Sequence, residues 1–168
     1  MAGARPYLFA ADGSPAARRA LEHGRDALVP GPALVVCLWE SGATLSVRLL
    51  VPLTEGIGAD VVGALDAKGR AAAERTVEEG AALLRAAGFA AEPLALPAHD
   101  RRGSREAADI WRGLLRIADE RDARLLVLGS NGRRATGAAL LGSVSYGVVH
   151  HSRRPVLVVP ASSSAPSR

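Results

Sequence analysis

Apolar residues in this chain gather into short unbroken runs, separated by longer stretches in which they recur every three or four positions. The runs fall at 7–11, 33–39, 91–96, 125–128 and 156–159, and several are apolar throughout, as in "ALVVCLW", "RLLVLG" and "PVLVVP". A strand that is apolar on both sides must be covered on both sides, which is the condition of a parallel sheet. The intervening stretches have helical spacing. Ser14 is a cap followed by Pro15 at the first helical position, and Ala17, Leu21, Gly24 and Leu28 then share one face. Over 66–87 the positions Ala73, Val77, Ala81 and Leu84 form a second stripe, with Gly88 as its stop. Ser104 opens a third helix, whose stripe of Ala107, Trp111, Leu114, Leu115 and Ala118 is explained by core packing. A fourth helix is expected over 143–150. Residues 40–65 interrupt the alternation as a long connection that holds a short helix or a strand pair.

Strands alternating with helices through right-handed crossovers give an α/β fold, an open doubly wound five-stranded parallel sheet with helices on both faces. One domain is expected over 1–160, followed by a flexible tail, "ASSSAPSR", at 161–168. Ligands of such sheets bind at the carboxyl ends of the strands, where the strand order reverses. Two loops therefore matter most: "ADGSP" after strand one and "GSNGRRATGAALLGS" after strand four.

Composition narrows the function classes. The chain is 48% hydrophobic and 23% charged, the proportions of a soluble globular protein. Its net charge is +4, but all except one of the 21 basic residues are arginines scattered among acids, and there are only two each of Trp, Tyr and Phe. No basic block with interleaved aromatics marks a nucleic-acid surface. Cys37 is the lone cysteine, which excludes an intramolecular disulfide and argues against a cysteine metal centre. No secretory h-region and no run near the ~18 apolar residues of a membrane span is present, so the expected location is cytoplasmic, without a membrane anchor.

Residues 127–145, "VLGSNGRRATGAALLGSVS", hold four glycines and three serines behind an apolar run. Gly142 opens the fourth helix, whose first turn offers unpaired N–H groups and the positive end of the dipole, enough to hold phosphate without a lysine. Ser143 and Ser145 add hydroxyls there, while Gly129 and Gly132 remove Cβ atoms that would hold the backbone away from an anion. The segment reads either as a phosphate cradle or as a βα loop that uses glycine only for turns.

The pattern Gly-x2-Gly-x9-Gly-Ser, in a chain that begins "LFAADGSPAARRAL" and closes with "SRRPVLVVP", closely resembles the nucleotide-binding subset of the universal stress protein family. The similarity spans nearly the whole chain. It implies an adenine nucleotide alpha hydrolase-like domain that binds ATP, usually as a homodimer. Carried over residue by residue, Ala11 and Asp12 lie at the end of strand one, with Asp12 matching the family's acidic residue near the adenosine. Gly129, Gly132, Gly142 and Ser143 match the phosphate and ribose loop, Ser145 adds a hydroxyl, and Leu128 and Val144 supply backbone contacts. Asp12 suits a ribose hydroxyl or an adenine amine, or else makes an Asx turn into the first helix. Arg133, with Arg134, either reaches phosphate oxygens or is solvated. Trp39, where the family places an aliphatic residue or histidine, either stacks on adenine or caps the core. The approach to the third helix, "HDRRGSREAADI", lacks the family's frequent Gly-x-Pro turn.

Little in the sequence supports catalysis. It contains no Gly-x4-Gly-Lys-Ser/Thr, no Gly-x-Gly-x-x-Gly after strand one, and a single lysine, Lys68. His23, His99, His150 and His151 have no metal-ligand spacing, so neither catalytic nor metal-binding residues are assigned. The resulting expectation is an ATP-binding regulatory module with at most slow hydrolysis, its Mg2+ carried by the phosphates and water. The alternative is a nucleotide-free dimeric stress or chaperone-like interaction module. In either case the homodimer is expected to form through the last strand, 156–159, as an exposed apolar edge.

Overall fold

In the computed structural model, which describes residues 4–39, 57–98, 110–131 and 141–160, strands and helices alternate along the chain. They are β1 (Tyr7–Ala10), α1 (Pro15–Ala27), β2 (Pro32–Trp39), α2 (Ile57–Arg85), β3 (Ala90–Pro97), α3 (Ile110–Glu120), β4 (Leu125–Gly129), α4 (Ser143–His151) and β5 (Val156–Val159). The strands make one sheet in the order β3-β2-β1-β4-β5, and every neighbouring pair is parallel. Because successive side chains point to opposite faces, each strand feeds two cores. Tyr7, Phe9, Val35, Cys37 and Val127 pack against Leu21 of α1 and Val77, Ala81 and Leu84 of α2. Leu8, Leu34, Val36, Leu126 and Leu128 pack against Leu114 and Ile117 of α3 and Val148 of α4. The unbroken apolarity of the strands is thus spent on both sides of the sheet.

The caps explain where the helices begin and end. Ser14 Oγ accepts the Ala17 N–H at 3.1 Å, and Pro15 follows as the first residue of α1. At the far end of α2, Gly88 has φ +87°, its N–H bonds to the Arg85 carbonyl at 2.9 Å, and the Phe89 N–H reaches back to the Leu84 carbonyl at 3.1 Å. This is the Schellman arrangement, completed by burial of Phe89 and Leu84 in the same core.

One sequence expectation needs correction. α2 begins at Ile57, not at 66, so the end of the supposed connection is helix; residues 40–56 lie outside the described residues. Gly58 and Gly63 hide that start, since each lowers helix propensity by about 1 kcal/mol relative to alanine. The run expected at 91–96 is β3, which contains Pro93 and extends one residue further at each end, from Ala90 to Pro97. β3 is an edge strand, the place in a sheet where a missing N–H is tolerated. The expected Ser104 cap also lies outside the described residues, and α3 is described from Ile110.

Candidate nucleotide site

The strand order reverses between β1 and β4, and there the two strands part. Ala10 still pairs with Val36 of β2, whereas the register with β4 ends at Phe9 and Val127. Beyond that point β1 continues through Ala11, whose N–H bonds to the Val36 carbonyl at 2.8 Å, into the turn that starts α1. Asp12 shapes the turn: its Oδ1 accepts the Ser14 N–H at 2.9 Å, and Gly13 takes φ +77°, a region L-residues avoid. The Asx turn read from the sequence is therefore present, with the Asp12 carboxylate only half-buried.

On the other side of the crevice β4 ends at Gly129. A Cβ here would lie 2.7 Å from both the carbonyl carbon and oxygen of Ala16. The missing side chain therefore lets α1 press on the end of β4, a different reason from the ligand access inferred from sequence. The next residue, Ser130, joins both ends of the glycine-rich segment. Its carbonyl accepts the Gly142 N–H at 2.6 Å and the Ser145 hydroxyl at 2.9 Å; that hydroxyl also lies 2.8 Å from the Gly129 carbonyl. Ser145 is buried, and its hydroxyl holds α4 against β4.

These bonds fix the start of α4 beside the crevice. Its cap, Gly142, has φ −71° and ψ 166° and provides no side-chain bond to the helix. The first intrahelical bond runs from the Tyr146 N–H to the Gly142 carbonyl, leaving the Ser143, Val144 and Ser145 N–H groups without intrahelical acceptors. Ser143 is exposed, and Val144 is partly buried against the α3 and α4 core. An acceptor anion fits this donor set.

The remaining assignments divide cleanly. Leu128 puts its side chain in the core, and Trp39 is 7% exposed and belongs to the same core cluster as Ala11, Cys37 and Val77. Gly132 and Arg133 lie outside the described residues. One residue escaped sequence reasoning. Asn131 follows Ser130 directly, and its Oδ1 is buried with no hydrogen-bond partner among the described residues. An asparagine in a glycine-rich loop reads as a turn residue, so nothing in the sequence signals the orphaned acceptor. Among the described residues no group of three or more His, Cys, Asp or Glu side chains could hold a metal ion, and no helix is long and apolar enough to cross a membrane.

Comparison with known proteins agrees with this architecture. The model of the Universal stress protein family matches residues 4–160. Among solved structures, the chain is similar to a universal stress protein from Archaeoglobus fulgidus at 26% identity, covering 91% of this chain and 96% of that one, with a TM-score of 0.56. It is also similar to the universal stress protein from Archaeoglobus fulgidus in complex with dAMP, at 23% identity, 91% and 95% coverage and a TM-score of 0.52. A universal stress protein in complex with cAMP matches at 21% identity, 96% and 100% coverage and a TM-score of 0.56. No curated protein matches the chain.

Proposed function

Since the chain belongs to the universal stress protein family, we propose that it is an adenine-nucleotide-binding regulatory module, acting as a homodimer whose contacts depend on the bound nucleotide. The observation that carries this reading is the uncapped amino end of α4, tied to the end of β4 beside the crevice where β1 and β4 part. The nucleotide complexes of two similar proteins, with dAMP and cAMP, support the choice of an adenine nucleotide.

ATP is the preferred ligand in this reading, with Mg2+ held by its phosphates and water. The N–H groups of Ser143 and Val144 hold phosphate oxygens, Asp12 accepts from a ribose hydroxyl or an adenine amine while keeping its turn bond, and Asn131 Oδ1 gains the donor it lacks. Hydrolysis is at most slow. Phosphate release faster than about one per minute, lost in Ser143→Ala, would contradict that part.

The decisive test is calorimetric titration of nucleotide-stripped protein with ATP and Mg2+, alongside Gly142→Asp. An aspartate at this position caps the helix at least as well as glycine, and its charge occupies the place of the anion. The expected result is binding by the parent and a loss of at least tenfold in the variant, with Tm unchanged or raised. A folded, stripped parent that binds neither ATP, dAMP nor cAMP would overturn the proposal in favour of a nucleotide-free dimeric module.

A further inference from the structure

The amino ends of the strands, opposite the candidate cradle, carry a second constellation. Arg5 precedes β1, Arg124 precedes β4, and Arg153, Arg154 and Pro155 precede β5; with Asp119 from the end of α3 they line a concavity of about 420 Å3. A neighbouring hollow of about 340 Å3 shares Asp119, Arg153 and Arg154, so the two form one trough.

Pairing within the trough leaves an excess of positive charge. Arg154, only 17% exposed, binds Asp119 at 3.0 Å, Asp122 at 2.9 Å and the Ala123 carbonyl at 2.6 Å. Arg5 binds the other Asp122 oxygen at 2.9 Å. Both carboxylates are thus committed to Arg154 and Arg5. Arg124 lies 4.1 Å over the Tyr7 ring and donates to its hydroxyl, and Arg153 is exposed. Among the described residues, neither Arg124 nor Arg153 has a carboxylate partner.

We infer that this trough is a second anion site, which takes a multivalent phosphate between Arg124 and Arg153. A single carboxylate would neutralise only one of the two unpaired guanidiniums, whereas a phosphate dianion matches both and accepts paired N–H bonds from each fork. Arg124 is already oriented by the Tyr7 ring, and Arg154 by its two aspartates, so binding orders little beyond Arg153. The site is distinct from the cradle: the five residues of β4 separate them, about 15 Å of strand. It goes beyond the nucleotide reading and does not depend on it.

The test titrates inorganic tripolyphosphate into Gly142→Asp protein at constant ionic strength, following backbone amide resonances. Saturable shifts are expected at Ala123, Arg124, Arg153 and Arg154, with orthophosphate binding more weakly. Adding Arg153→Gln, an exposed change outside the ion-pair network, is expected to weaken binding at least tenfold at unchanged Tm. Shifts that merely follow added salt, shifts confined to 142–145, or binding indifferent to Arg153→Gln would each overturn the inference. Failure of ATP binding by the parent protein would leave these signals untouched.

Discussion

At the residue scale, two of the glycine-loop positions carry different burdens from those their sequence pattern suggests. Gly129 is required by contact with the Ala16 backbone, which cannot swing aside as a side-chain tip can. Gly129→Ala is accordingly expected to destabilise the fold by about 1–3 kcal/mol, the range of overpacking, as measured by denaturant unfolding without ligand. Asn131 has the opposite signature: a buried acceptor without a partner costs stability that a bound donor would restore. Asn131→Leu is expected to raise the Tm of the stripped protein and to shrink the further rise produced by ATP. Equal ATP-induced rises in parent and variant would show that the nucleotide does not reach this oxygen. The sequence located the segment through its glycine density, but it could not separate a glycine needed for packing from one needed for binding. That distinction depends on what lies across the gap, and Ala16 is far away along the chain.

The elements were legible in proportion to how local their causes are. The apolar run 156–159 coincides with β5, and Ser14 and Pro15 announce the start of α1, whose stripe is intact. The start of α2 is hidden because glycines interrupt its first turns, while Phe89 and Leu84 fix its other end through a turn that Gly88 betrays in the sequence. The close packing of α4 on α3 was not legible. A Cβ on Gly147 would come within 2.5 Å of the Trp111 ring, whose other contacts include His151 stacked at 4.5 Å. β5 is the element on which the proposed homodimer depends. The Pro155 carbonyl accepts from Leu126 of β4 and the Val159 carbonyl from Ser130 just beyond it, so the two-residue period turns the N–H and C=O groups of Val156 and Val158 toward the open edge. Val158→Pro removes an outward donor without removing a bond to β4. Light scattering at tens of micromolar is expected to find a dimeric parent and a folded, monomeric variant; a monomeric parent would refute pairing through β5.

At the scale of the whole molecule, the sheet has two chemically unlike ends. The carboxyl end offers backbone donors at α4, whereas the amino end is held together by arginines and aspartates drawn from Arg5, the end of α3 and the residues before β5. No local sequence pattern foretold the second end, because its members are scattered over nearly the full chain and meet only when the sheet forms. That network has a pH signature. The hydrogen bond from Arg154, with the added charge of Arg5, holds the Asp122 carboxyl below the usual carboxylate range. A depressed carboxylate contributes stability above its unfolded pKa of about 3.9, and loses it as pH falls through the lower folded-state value. Circular dichroism along an acid titration is expected to show the parent losing stability more steeply below about pH 4 than Asp122→Asn. Asparagine accepts the φ of 47° that Asp122 adopts, so this variant removes charge while keeping the turn. The effect will be modest, because the carboxylate is 63% exposed.

The contact between Gly129 and Ala16 also bears on how loop motifs are used to sort related proteins. A lineage that stopped using a nucleotide would still be obliged to retain Gly129, or else rebuild the start of α1, so its presence testifies to folding alone. Gly142 occupies backbone angles open to any residue, and nothing in its own conformation obliges the chain to keep it. Drift at the position of Gly142, with that of Gly129 unchanged, is therefore the pattern by which loss of the ligand would first be written into descendants of this sequence.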